Sequence, residues 1–189
     1  MMRTKLFILM IVFFTAHMAA VSAQNNAAAL IRKGNHAFHQ EDYVDAELYY
    51  RKALEEDPNN GKARYNLGNA LYRQHRYNEA ATYFLDANTL IQDSSASSNM
   101  FYNLGNSLIK NGLENDTSKA QEHLKNGINA YIKSLSLNPD NEKTKYNLQY
   151  ALKLLNQLQQ QQTQPDQKES DQQEQKKGSE EKEKEAKQG

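Results

Sequence analysis

The side chains able to do chemistry are few and scattered. His36 and His39 stand three apart on one predicted helix, a spacing that lets two imidazoles share a metal ion. No cysteine accompanies them, and Glu41 and Asp42 fall in the turn that follows, so the pair reads as surface histidines. His75 is placed in a turn and His123 on a long helix; neither has a triad partner at a recognisable spacing. The repeat glycines sit inside predicted helices, which leaves no glycine-rich loop to cradle a phosphate. Asn115-Asp116-Thr117 matches a glycosylation acceptor, but the start of a helix explains the same three residues. With no cysteine in the chain, disulfides, thiolate nucleophiles, thiolate metal sites and lipid attachment to an N-terminal cysteine are excluded. The expectation is a protein with no catalytic residue, no metal and no cofactor.

Charge points the same way. The 189 residues carry 23 Lys and Arg against 23 Asp and Glu, with no basic stripe, so nothing argues for nucleic acid. A membrane-surface protein would need a basic amphipathic face, which the sequence lacks. Only 3 prolines and 8 glycines punctuate a chain rich in Leu, Ala, Glu, Lys and Gln, a composition for helices.

Any recognition chemistry must then be positioned by helices, and these repeat. Tyr65-Asn66-Leu67-Gly68-Asn69-Ala70-Leu71 has relatives in Tyr102-Asn103-Leu104-Gly105-Asn106-Ser107-Leu108 and in Lys33-Gly34-Asn35-His36-Ala37-Phe38, with a fragment at Tyr146-Asn147-Leu148. Gly34 and Gly68 are 34 residues apart, as are Ala46 and Ala80, and Ala53 and Ala87. That period marks a solenoid of helix pairs. Apolar residues at spacings of three and four predict helix pairs over about 27–60, 61–94 and 98–141, with small residues where helices cross. Asp57-Pro58-Asn59-Asn60 closes the first pair, and Asp93-Ser94-Ser95 is read as the end of the second. The third pair is stretched, since Gly127 follows Gly105 by 22 residues where Ala46 follows Gly34 by 12. We expect its first helix to stop at Asn111-Gly112. Its second should be capped by Asp116 or Thr117 and run about three turns longer than its counterparts. Residues 142–160 form a single amphipathic helix suited to cap the stack.

The ends are of other kinds. Residues 1–23 read as a signal peptide: Arg3 and Lys5, an apolar run from Leu6 to Phe14, then Val21-Ser22-Ala23 before a cleavage point at Gln24. The alternative is an uncleaved anchor. Residues 161–189 are Gln, Glu, Lys, Asp and Ser with almost no aliphatic side chain (Ala186 aside), and read as a disordered tail.

Leu67-Gly68, Tyr77, Ala80, Phe84 and Ala87, matched by Gly34, Tyr43, Ala46, Tyr50, Ala53 and Pro58, resemble tetratricopeptide (TPR) repeats. Departures are Gln92 in place of a proline, the stretched third pair, and Ser134 where alanine is usual. The resemblance implies an all-α TPR superhelix, an α-solenoid of about three helix pairs plus a capping helix, whose first helices line a concave groove for peptides or partner domains. By analogy that groove would present Asn35, Tyr65, Asn66, Asn69, Tyr72, Arg73, Tyr102, Asn103, Asn106, Lys110 and Lys143. Asn amides offer a donor and an acceptor to an extended backbone, Tyr supplies rigid area, and Arg or Lys pairs with carboxylates. The same asparagines can instead stabilise the repeats. Some TPR domains clamp a C-terminal carboxylate with a Lys/Asn/Arg set; Lys62, Asn66 and Asn69 echo part of it, but Ile31 stands where a lysine would be needed.

The overall plan also resembles the TPR proteins of bacterial aerotolerance (Bat) operons: a signal, three repeats with a stretched third, then Lys145-Tyr146-Asn147-Leu148-Gln149-Tyr150 running into a Gln/Glu/Lys tail. That resemblance implies a noncatalytic, periplasmic scaffold in a stress-tolerance complex. Its partners would be membrane-anchored von Willebrand factor A domain proteins, without insertion of the cleaved chain into the membrane. An accessory subunit of an envelope enzyme, or a hydrolase with a hidden site, is the alternative.

Overall fold

The computed structural model describes residues 25–91 and 93–161. The signal reading of residues 1–23, the departure at Gln92 and the tail reading of residues 162–189 lie outside the described residues. Within them are seven α-helices and no strand: α1 (25–39), α2 (Tyr43–Glu56), α3 (Gly61–Arg73), α4 (Tyr77–Leu90), α5 (Ser94–Lys110), α6 (Ala120–Leu137) and α7 (142–161). Consecutive helices pack as antiparallel neighbours, and the fold is the expected TPR α-solenoid.

Local chemistry fixes where each helix begins. Asp42, Asn60, Asp93 and Asn141 each turn a side-chain oxygen onto the backbone N–H three residues on, at 3.1, 3.0, 2.7 and 3.1 Å. Each contributes about 1 kcal/mol as an N-cap. Asp93-Ser94-Ser95 is therefore not the end of a helix, as the sequence suggested, but the start of the next one: α4 stops at Leu90 and Asp93 caps α5.

The stretched third pair differs from expectation too. Asn111-Gly112 does not stop the chain's winding. Residues Asn111–Asn115 continue as a wide π turn, closed by Asp116 N–H on the Asn111 carbonyl at 2.7 Å, then a short 3₁₀ turn at Thr117–Lys119. α6 has 18 residues against 14 in α2 and α4, about one turn longer rather than three. The added residues are spent mostly on that turn. It is tied back to the second pair by Tyr77, whose hydroxyl donates to Glu114 at 2.9 Å, and by Asn115 on the His75 carbonyl at 3.0 Å. Neither Asp116 nor Thr117 caps α6; Asp116 instead accepts from Ser118 at 2.7 Å.

Gly34, Gly68 and Gly105 sit where the sequence places close crossings, and each of the three faces a ring on the paired helix. A Cβ on Gly34 would lie 2.6 Å from Tyr50, one on Gly68 2.9 Å from Phe84, and one on Gly105 would collide with Tyr131. These rings are almost fully buried with Leu67, Leu71, Leu124, Ala46 and Ala80. Each large side chain contributes about 1.5–3 kcal/mol by burial.

The small residues at the seams between pairs vary. Ala27, Ala53 and Ala63 from α1, α2 and α3 meet with no exposure. At the corresponding places in α5, α6 and α7 stand Ser98, Ser134 and Thr144, equally buried. Ser98 donates to the Ser134 carbonyl at 3.0 Å and Ser134 to the Ser98 carbonyl at 2.8 Å, with Thr144 at 3.3 Å. The departure at Ser134 is thus a satisfied hydroxyl cluster. α7 closes the stack, laying Leu148, Leu155 and Leu158 on Leu124, Ile128 and Tyr131 while Gln149, Lys153, Asn156 and Gln157 face solvent. Among the described residues no helix is long and apolar enough to cross a membrane.

Candidate functional site

The face lined by α1, α3, α5 and α7 carries a ladder of paired asparagines. Asn35 Oδ1 accepts from Tyr50 OH at 2.8 Å and from Asn66 Nδ2 at 2.9 Å. One layer on, Asn69 Oδ1 accepts from Asn103 Nδ2 at 3.3 Å, and that amide also donates to Tyr65 OH at 3.0 Å. In the next, Asn106 Oδ1 accepts from Tyr131 OH at 2.7 Å and from Asn147 Nδ2 at 2.8 Å. Burial pushes the Tyr50 hydroxyl up to about 12 and raises Tyr131 further, so both remain donors. The middle layer lacks such a donor because Phe84 stands where Tyr50 and Tyr131 stand.

These bonds hold neighbouring repeats together, and they also leave something over. Among the described residues, Nδ2 of Asn35, Asn69 and Asn106 and Oδ1 of Asn66, Asn103 and Asn147 have no partner, and all six amides are half-buried. Every layer therefore offers one spare donor and one spare acceptor, the complement of a peptide unit.

Three depressions flank the ladder. One of about 430 Å³ lies across α1, α3 and α5; Ile31, Ile91 and Met100 give it an apolar wall, with Lys62, Tyr65 and Asp93 around them. A second, of about 250 Å³, is lined by Asn35, Phe38, His39, Tyr50, Asn66 and Asn69. The third, of about 260 Å³, opens between α3, α5 and α7 among Tyr72, Asn106, Lys110, Tyr146, Asn147 and Tyr150. Tyr146 and Tyr150 are 71% and 52% exposed.

Of the residues named from the sequence, Asn35, Tyr65, Asn66, Asn69, Tyr72, Asn106 and Lys110 line these depressions, and Asn103 and Tyr102 belong to the ladder. Two stand apart. Arg73 lays its guanidinium 4.5 Å over the Tyr43 ring and 3.8 Å from Glu41, at the end of the first pair. Lys143 is exposed at the start of α7. The Lys110 ammonium is 2.6 Å from Glu114, and that hydrogen bond raises its pKa and holds it charged. Sequence reasoning missed Ile91, Asn99, Met100, Tyr146, Asn147 and Tyr150. The Tyr146-Asn147-Leu148 fragment was the signal for Tyr146 and Asn147, since Asn147 falls in register with Asn66 and Asn103. His36 and His39 are both exposed.

The described residues form a stack of helix pairs with an amide-lined face. Residues 37–99 match the model of the tetratricopeptide repeat family. The first TPR of Spaghetti (RPAP3), bound to the HSP90 peptide SRMEEVD, has a TM-score of 0.60 at 23% identity, covering 70% of this chain and 94% of that one. The N-terminal domain of stress-induced protein-1 (STI-1) from C. elegans scores 0.57 at 21% identity, covering 68% and 96%. The second TPR domain of human RPAP3, in complex with the HSP70 peptide SGPTIEEVD, scores 0.53 at 23%, covering 71% and 96%. At these identities the likeness is one of fold. No curated protein matches the sequence.

Proposed function

We propose that the chain is a noncatalytic scaffold of the cell envelope that holds an extended segment of a partner protein along the asparagine ladder. The observation that carries this is the spare donor and spare acceptor in each layer, set between depressions wide enough for side chains. The peptides bound by the two RPAP3 domains support a peptide as the occupant. Their acidic tails are a poorer fit here. Ile31 contributes no charge, Lys62 shares its depression with Asp93, and Lys110 is already paired with Glu114. A segment of low net charge is favoured.

The signal-like residues 1–23 support export to the periplasm, and the overall plan supports a stress-tolerance complex of the aerotolerance type with membrane-anchored von Willebrand factor A domain proteins. The test is capture from native envelope extract by wild type and by the double substitution Tyr65→Ala with Asn69→Ala. Loss of specific partners by the variant is expected. Recovery of the same partners by both would overturn the groove assignment.

A further inference from the structure

The geometry points to a bipartite partner motif: an aliphatic side chain seated against Ile31, Ile91 and Met100, and, about five residues along the extended segment, an uncharged ring seated among Tyr72, Tyr146 and Tyr150. This rests on the groove reading above and specifies its occupant. The first depression is walled by the apolar side chains of Ile31, Ile91 and Met100 and takes an apolar anchor. The ring's depression is lined by four tyrosines, Tyr131 among them, and has about 260 Å³ of room. An apolar cavity of about 150 Å³ suffices for benzene.

Charge decides what kind of ring enters. Tyrosine faces attract cations only weakly where they are exposed, and Lys110, paired with Glu114, adds no net charge to this wall. An acidic group gains little, because Glu114 neutralises Lys110 at 2.6 Å. What remains favoured is a neutral ring, aromatic or proline, stacked on Tyr146 and Tyr150. Those two lie one turn apart on α7 and are exposed, so they are free to close on it.

Helix geometry sets the spacing. From Met100, in the wall of the first depression, to Ile109, in the wall of the ring's depression, is about 13 Å along α5 at 1.5 Å per residue. The depressions are also offset sideways by one helix, about 9 Å. The resulting span of about 16 Å is covered by about five residues of extended chain.

The experiment is selection of a displayed random dodecapeptide library on the full-length chain and on the double variant Tyr146→Ala with Tyr150→Ala. Melting temperatures are measured on both. On wild type, selected peptides should carry an aliphatic residue and a ring at that separation. The variant should melt as wild type, keep the aliphatic preference, lose the ring preference and bind wild-type-selected peptides about tenfold more weakly. Peptides enriched without a ring, or a ring preference that survives in the variant, overturn this inference while the groove stands. If no peptide is enriched, the groove reading falls and this one with it.

Discussion

The seam between the first and second helix pairs and the seam that closes the third occupy the same register but are made of different atoms. Ala27, Ala53 and Ala63 seal the first by contact alone; Ser98, Ser134 and Thr144 seal the last by reciprocal hydrogen bonds at full burial. An alanine seam tolerates no polar guest, whereas a hydroxyl seam fails if one member is lost and its neighbours are left unpaired. The third pair also carries the π turn and a glycine-on-glycine crossing, in which a Cβ on Gly127 would approach the Gly105 carbonyl at 3.2 Å. The first half of the molecule is a regular repeat, and the second is a repeat adjusted by polar chemistry.

Substitutions can break that comparison. The largest effect is expected at Gly105→Ala, where the new methyl meets both Tyr131 and the Gly127 carbonyl; backbone cannot yield, and about 3 kcal/mol is lost. Gly68→Ala meets only the edge of Phe84 and should cost roughly half as much. Chemical denaturation of both reads the difference, and equal costs would mean the third crossing is no tighter.

The seams themselves come next. Ala53→Ser puts an unpaired hydroxyl into a dry contact at about 2 kcal/mol, and Ser134→Ala costs about 1–2 kcal/mol by stranding the Thr144 hydroxyl and removing the donor to the Ser98 carbonyl, while Ser98 keeps its bond to the Ser134 carbonyl. Converting Ser98, Ser134 and Thr144 to alanine together should be nearly neutral, because no partner remains unsatisfied. A triple variant less stable than Ser134→Ala alone would show that the cluster does more than satisfy itself.

In the first half, acid should act on Glu47. Burial opposes ionisation of Glu47, but hydrogen bonds from Gln74, Arg51 and Arg76 outweigh it and hold its carboxyl below the usual 4.5. A depressed folded pKa contributes stability above the unfolded value and loses it as pH falls through the folded one. Glu47→Gln should therefore melt lower than wild type at pH 7, and the gap should shrink below about pH 4.5. Thermal melts across that range check it; a gap independent of pH would contradict the assignment.

The smallest effects test the ladder. Tyr131→Phe removes the donor to Asn106 and should cost about 1 kcal/mol, while Phe84→Tyr supplies the donor that Asn69 lacks and should be neutral or stabilising.

What could be read from the sequence follows from how narrowly physics constrains each feature. Glycine opposite a ring admits no substitute, so Gly34, Gly68 and Gly105 declared the crossings directly. The extra residues before Gly127 did not declare their shape, because the same length can be wound into a longer helix or spent on a wide turn; only the contacts of Tyr77 and Asn115 across to it decide. Ser134 was visible as a departure, but its partners Ser98 and Thr144 lie 36 and 10 residues away on other helices. The ladder asparagines Asn35, Asn66, Asn69, Asn103 and Asn106 were named through the resemblance to TPR repeats, and their pairing, with one another or with Asn147, was not foreseen. Tyr146 and Tyr150 were passed over because α7 was read only as a cap, whereas one of its faces caps and another joins the groove.

The central claim is that each asparagine pair uses one half of its amides to bind the stack and the other half to bind a partner. Asn69→Asp tests it most directly, since the carboxylate still accepts from Asn103 but no longer offers the spare N–H. The account predicts a melting temperature unchanged within experimental error and a clear loss of partner capture. A lowered melting temperature with capture intact would contradict it.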